Sequence, residues 1–425
     1  MGKIRKYAQH LLLYARAMAK WLMVSLVVGL LCGLLGSAFH YGVSRANMFR
    51  EVHPWVIYTL PVAGMLAVAL YRLFRTEGQG TNNILQEIQG GKGVSLSLIP
   101  AIFLTTVLTH LAGGSAGREG AALQMGGGIG YNIGRLLKLD DRDLRTATMI
   151  GMAAFFSALF GTPLGAAVFS LEVISVGLIY HAAFIPCFIA SLTAYGVALL
   201  LGITPERFTV SVPQLSIVML LRVAILAVLG GTLSAVFCGI LHFTEQNMEK
   251  LLKNPWGRAF SGGAVILILT LLLGNDYNGA GMGLIRYAIE EGSAVSTAFL
   301  WKMVFTAITL AVGFKGGEVV PSFFIGATFG CVVGPLLGMP AGFAAAVGLI
   351  TVFCGAVNCP LASIFLAIEL FGAEGMLFYA FACGLSYVFS GYSGLYSSQR
   401  ILYDKLKAQF IDVHTNAYHE GDRSA

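Results

Sequence analysis

Charge-free apolar runs recur along almost the whole chain, at 21–44, 54–71, 93–117, 146–171, 173–205, 223–244, 319–368 and 375–399. A membrane-crossing helix needs roughly 20 apolar residues, so each run can hold one or more spans. The run at 319–368 exceeds a single span, and Pro335, Pro340 and Pro360 divide it. Charged residues are 11% of the chain and hydrophobic residues 56%, where soluble domains carry about 25% charge. The solvent is lipid. Helices satisfy their own backbone hydrogen bonds where water is absent, so the expected fold is an all-α polytopic membrane protein.

The net charge of +6 is concentrated in part at Lys3, Arg5, Lys6, Arg16 and Lys20, ahead of the first span. That bias predicts a cytoplasmic N-terminus in the cell membrane. Nucleic acid is not an expected partner, because no soluble basic domain exists to carry it. The first apolar run is too long for a signal-peptide core and is read as structure. The cysteines, Cys32, Cys187, Cys238, Cys331, Cys354, Cys359 and Cys383, lie in apolar surroundings and read as small buried side chains. His110, His181 and His242 have no metal-ligand spacing, so neither a metal nor another cofactor is expected.

Two pairs of segments repeat at nearly one offset. Pro163, Leu164 and Glu172 match Pro360, Leu361 and Glu369, while Gly117-Arg118-Glu119 matches Gly316-Gly317-Glu318. Convergence of apolar helices is the plainer explanation, and the shared order of the pairs weighs against it. The expected organisation is a cytoplasmic segment at 1–19, membrane repeats at 20–208 and 209–410, and a polar tail at 411–425, with no appended regulatory domain. Residues 245–258 and 276–291 read as interfacial connections, with a short helix at 285–291. Residues 401–410 read as an amphipathic helix. Gly326, Gly330, Gly334 and Gly338 recur every fourth residue and would admit a neighbouring backbone. Glu172 and Glu369 read as helix-end or interfacial groups, with a proton route near Glu172 as the lesser reading.

The stretches after Gly80, at 120–134 and at 319–334 each begin beside glycine and polar residues. Irregular backbone at membrane depth is tolerated only where protein buries it or where it lines a wet cavity. Arg118 and Glu119 stand between two apolar stretches, as do Lys315 and Glu318, and an ionisable group in lipid is a functional candidate. A helix opening at Glu119 points free N–H groups and a positive dipole end at whatever precedes it, which favours an anion or a carboxylate standing in for one. Two such openings aimed at one midplane site are what an inverted duplication produces. The plainer readings are ion pairs, Arg118 with Glu119 and Lys315 with Glu318.

These motifs resemble the CLC family of chloride channels and anion/proton antiporters. Gly117-Arg118-Glu119-Gly120 is similar to the segment with the gating glutamate. Gly316-Gly317-Glu318-Val319-Val320-Pro321 resembles the segment opening the second-half pore helix, and Gly394-Leu395-Tyr396-Ser397 resembles the one with the pore tyrosine. The likeness runs from the first span to about Phe410. It implies two inverted-topology repeats with tilted and broken helices, a homodimer with one anion path per subunit, and a proton-carrying Glu119. Its anion-binding positions would be Gln79, Gly80, Gly117, Arg118, Gly120, Gly317, Val319, Val320 and Tyr396.

The departures point to one branch. Gln79 takes the place of the usual serine, Ala121 that of a proline, and Val173 that of the internal proton-transfer glutamate. Glu318 adds a second proton-coupled carboxylate. Together they resemble the fluoride/proton antiporter branch, although Gln79 replaces the methionine of its best-known pattern. Fluoride is small and strongly hydrated, so donors such as the Gln79 amide, the Tyr396 hydroxyl and helix-start N–H groups must replace its water. A carboxyl beside an anion serves only while protonated, which couples the two ions. The expected activity is fluoride export driven by proton import. A chloride channel or a chloride/proton antiporter is the alternative. An enzyme is not expected, because no zinc-protease motif, Ser/His dyad or nucleotide loop is present.

Overall fold

A computed structural model describes residues 2–91 and 93–417, with side chains from residue 11 onward apart from 13. The charges on Lys3, Arg5 and Lys6 and the tail beyond 417 lie outside the described residues. Eight helices are followed by eight more in the same order. The first set is α1 (Gly2–Val52), α2 (Leu60–Leu73), α3 (Thr81–Ile88), α4 (Leu98–Ala112), α5 (Glu119–Leu136), α6 (Asp141–Phe160), α7 (Pro163–Glu172) and α8 (Phe184–Leu200). The second is α9 (Ile217–Leu251), α10 (Pro255–Leu273), α11 (Met282–Glu290), α12 (Ala298–Ala311), α13 (Val319–Leu336), α14 (Ala341–Val357), α15 (Pro360–Phe371) and α16 (Met376–Phe389). Residues 2–19 are helical in one piece with the first span. Six helices are long and apolar enough to cross a membrane, among them Val319–Leu336, and several shorter apolar helices accompany them. The chain is a multi-pass membrane protein.

The corners repeat because their local chemistry repeats. Gly161 (φ 67°) ends α6 and Asn358 (φ 55°) ends α14, both in the left-handed region that stops a helix. Two residues on, Pro163 and Pro360 open α7 and α15, where a missing N–H costs nothing. The glycine pattern also has a packing result. A methyl on Gly126 or Gly130 would overlap the Gly151 or Ala147 carbonyl of α6, and one on Gly326 or Gly330 would overlap the Gly348 or Ala344 carbonyl of α14. In lipid, where apolar burial drives little between helices, such backbone approach supplies the dispersion contacts that hold them together.

The ends of α7 and α15 meet in opposite senses. The Glu172 carboxylate, at the end of α7, accepts from the Leu361 and Ala362 amides (3.2 and 2.8 Å) at the start of α15. Glu369, near the end of α15, accepts from Leu164 and Gly165 (3.0 and 2.8 Å) at the start of α7. Each helix end therefore caps the other repeat's helix start, which requires the repeats to run antiparallel. Aromatic contacts bridge them too, with ring centroids 5.9 Å apart both for Phe160 and Phe323 and for Phe169 and Phe353.

Two expectations are corrected. Residues 401–410 form no helix. Strand β2 (Arg400–Tyr403) lies between β1 (Ser175–Val176), to which it is parallel, and β3 (Phe410–His414), to which it is antiparallel. The backbone groups of β2 are paired by a strand more than two hundred residues earlier, which overrides local spacing. The 245–258 segment is mostly helical, since α9 runs to Leu251 and α10 starts at Pro255.

Candidate functional site

The two glycine loops meet at the centre of the molecule. Gly117 N–H donates to the Gly317 carbonyl at 2.7 Å, and Gly317 N–H returns to the Gly117 carbonyl at 2.8 Å. Immediately afterwards α5 opens at Glu119 and α13 at Val319. In three dimensions the carboxylates are therefore one residue out of register. Glu119 is the first helical residue of α5, whereas Glu318 immediately precedes α13.

Both carboxyls lie close to the bridge. Glu119 is fully buried, and its Oε2 accepts from the Arg118 N–H at 2.9 Å. A side chain on Gly117 would overlap that oxygen and push the Glu119 carboxylate aside. Glu318 Oε2 passes 3.4 Å from where a Gly120 side chain would begin. Glu119 Oε1 and Glu318 Oε2 are buried and have no hydrogen-bond partner. Of the two ion pairs in the plainer reading, the first is long and the second is not formed among the described residues. Arg118 Nε stands 3.7 Å from Glu119 Oε1, while its guanidinium is drawn off to His40 Nδ1 (2.8 Å) and Glu206 (3.7 Å). Lys315 forms no ion pair with Glu318 among the described residues and sits over the Tyr71 ring, 4.5 Å from its centroid.

A cavity of about 420 Å³ opens onto Glu318. Gln79, Gly80, Gln124, Lys315 and Tyr396 share its wall. Gly78 (φ 73°) turns the chain so that Gln79 faces inward, and the Gly80 N–H donates to Asn83 Oδ1 at 2.8 Å as α3 begins. Tyr396 is 2% exposed and its hydroxyl is unpartnered. Its loop is tied down by Thr415, whose hydroxyl donates to the Tyr396 carbonyl (2.6 Å), and by Asn82, whose Oδ1 accepts from the Ser398 N–H (3.1 Å). The loops of Gln79 and Tyr396 are thereby fixed to each other.

Of the expected site residues, the cavity wall gathers Gln79, Gly80, Glu318 and Tyr396, while Glu119, Gly117, Arg118, Gly120, Gly317, Val319 and Val320 lie behind it at the helix openings. Gln124 was not anticipated. It is nearly buried, with Oε1 unpartnered and Nε2 3.2 Å from Thr81 Oγ1. Its only signal in the sequence is that it is an amide inside a helix of glycine and apolar residues. His110 is packed, with Nε2 3.4 Å from the Gly117 carbonyl, and His242 Nε2 lies 2.9 Å from the Gly394 carbonyl.

The arrangement brings together two helix openings, two carboxyls each with an oxygen lacking a hydrogen-bond partner, an amide and a hydroxyl. The voltage gated chloride channel family matches residues 63–391. A chloride/fluoride channel protein from Pseudomonas syringae pv. tomato is 37% identical over 416 residues, covering 95% of this chain and 91% of that protein. The H(+)/Cl(-) exchange transporter ClcA of Vibrio campbellii is 25% identical over 381 residues, covering 82% and 81%. The crystal structure of a CLC-type fluoride/proton antiporter superposes with a TM-score of 0.88 at 33% identity, covering 90% of this chain and 98% of that one. A slow cyanobacterial Cl-/H+ antiporter shares the fold, with a TM-score of 0.76 at 22% identity over 87% and 94%. With its paired helix openings and its match over most of its length, this chain belongs to the CLC family of voltage gated chloride channels and anion/proton antiporters.

Proposed function

We propose that this protein is a secondary-active transporter of the cell membrane that exports fluoride in exchange for inward-moving protons. The observation that carries the reading is the pair Glu119 and Glu318, two carboxyls at adjoining helix openings, each with a buried oxygen that has no hydrogen-bond partner among the described residues. An ionised Glu119 occupies peptide N–H groups that an anion would use. Once protonated it gives them up, and fluoride takes its place. Gln79 and Tyr396 supply donors from the cavity side, where Gly80 shapes the wall, and Gly117, Arg118, Gly120, Gly317, Val319 and Val320 supply backbone at the openings. The names of two relatives, a chloride/fluoride channel protein and a fluoride/proton antiporter, support fluoride as the anion.

The cavity faces the cytoplasm on this reading. α1 ends where Arg50 Nη1 donates to the His110 carbonyl, beside the start of α2, so the far end of α2 and the cavity lie on the face where α1 begins. That face also carries Lys20, Arg135, Lys138 and Arg142, the bias expected of a cytoplasmic side. The working form is a homodimer, and the repeats divide at 20–208 and 209–410, a division supported by the matched helix order.

Purified protein in liposomes, followed with fluoride and pH electrodes, is expected to release fluoride with proportional proton uptake. Flux that ignores a pH gradient would make the protein a passive channel. Chloride transported in preference to fluoride would make it a chloride exchanger.

A further inference from the structure

The exchange just proposed leaves one transfer without an assigned acceptor, because the proton on Glu318, which lines the cavity, has to cross it to bulk solvent. Position 173 holds a buried valine, and neighbouring Glu172 has both oxygens occupied by the Leu361 and Ala362 amides. The cavity offers another route. Glu245 and Glu249, on the exposed last turns of α9, line the same wall as Glu318. Carboxylates at the mouth of an anion path work against the anion, since they repel it on approach. Their presence there needs a reason.

The two differ in their neighbours. Glu249 is 3.5 Å from Arg258 Nη1, whereas Glu245 makes no ion pair among the described residues. His242, one turn before it, is engaged by the Gly394 carbonyl and Asn416. Lys315, from the loop before α13, lines the same cavity as Glu245 and Glu318. The unpartnered Glu318 Oε2 and Tyr396 hydroxyl reach the same space from the other end. A volume of about 420 Å³ holds on the order of a dozen waters, enough for a continuous hydrogen-bonded chain.

We propose that Glu245 is the proton-accepting residue on the cavity side of the exchange. The Glu318 carboxylic acid releases its proton into the cavity water and becomes a carboxylate, and the Glu245 carboxylate takes up one proton from that water. Glu245 then loses it to bulk solvent and is reset. One proton crosses the cavity and no other bond changes.

The test is Glu245→Gln in liposomes, read against wild-type protein in dilute buffer. Coupled turnover is expected to fall about tenfold. Fluoride binding to detergent-solubilised protein, measured by calorimetry, should be retained or tightened, which also checks the fold. Glu245→Asp should restore most of the rate. Imidazole at high concentration, small enough to enter the cavity, should rescue the Gln variant, and a bulky buffer of similar pKa should not. Glu245→Ser provides a second variant with the same expectation. Wild-type rates in both variants, or slowing that no buffer relieves, would overturn the assignment. Fluoride flux without proton movement in the wild-type control would instead defeat the exchange reading itself, and the role of Glu245 with it.

Discussion

Four buried or half-buried glutamates come in two repeat-related pairs, and the pairs are built in opposite ways. At the α7/α15 contact, Glu172 and Glu369 each accept two peptide N–H groups from the other repeat and have no spare oxygen among the buried unpartnered atoms. At the α5/α13 openings, Glu119 and Glu318 each leave one oxygen without a partner. On the proposed exchange, the same side chain serves as a staple where its lone pairs are filled and as a proton carrier where one is left open. Burial alone does not separate the two roles.

That contrast can be broken most decisively at the centre. Glu119→Gln should lower proton movement per fluoride by tenfold or more, and Glu318→Gln should do the same to a smaller extent, both read as the flux ratio in liposomes. If either variant kept wild-type coupling, the open-oxygen criterion would be wrong. Glu172→Ala should remove two charge-assisted bonds of about 1.5–3 kcal/mol each. The expected result is a clear drop in the temperature at which the protein loses monodispersity, with the flux ratio unchanged. A stable but uncoupled Glu172→Ala protein would reverse the assignment of roles.

A finer test uses a hydroxyl. Because the Tyr396 O–H has no protein partner, Tyr396→Phe should cost no stability but weaken fluoride binding about fivefold, the size of one net hydrogen bond. The smallest expected effect is peripheral. The Tyr392 hydroxyl donates to Asp404 Oδ2 at 2.7 Å, and with the Leu406 and Lys407 amides it holds the Asp404 carboxyl below its usual 3.8. An acid depressed on folding stabilises the native turn above the unfolded value, and that contribution is lost as pH falls through the folded one. Pepsin should therefore begin to cut the 404–409 turn only below about pH 3.8, and at a higher pH in Tyr392→Phe.

The sequence carried the fold well because its strongest signals are local. Charge-free runs mark the spans, proline and left-handed glycine or asparagine mark the corners, and glycine spacing marks where backbones touch. The repeat of Glu172 in Glu369 was also visible, but their mutual capping was not, since each partner lies about two hundred residues away. Residues 400–403 were misread for the same reason: Ile401 and Leu402 suit a helix face as well as a strand until β1 and β3 supply the pairing. At the site, Glu119, Glu318 and Tyr396 stood out as ionisable or polar groups beside glycine. Gln124 and Glu245 did not, because each belongs to a helix whose neighbouring residues give no hint of the shared cavity.

The doubled hydrogen bond between Gly117 and Gly317 bears on how such a protein can work at all. It uses one N–H and one carbonyl from each repeat to pin the two openings together. Rocking the repeats apart would break both of these buried bonds, at a cost of several kcal/mol if left unmade. A swing of the Glu119 side chain breaks neither. The exchange proposed for this chain therefore needs only a few ångströms of carboxyl arm to turn, with the doubled bridge left intact.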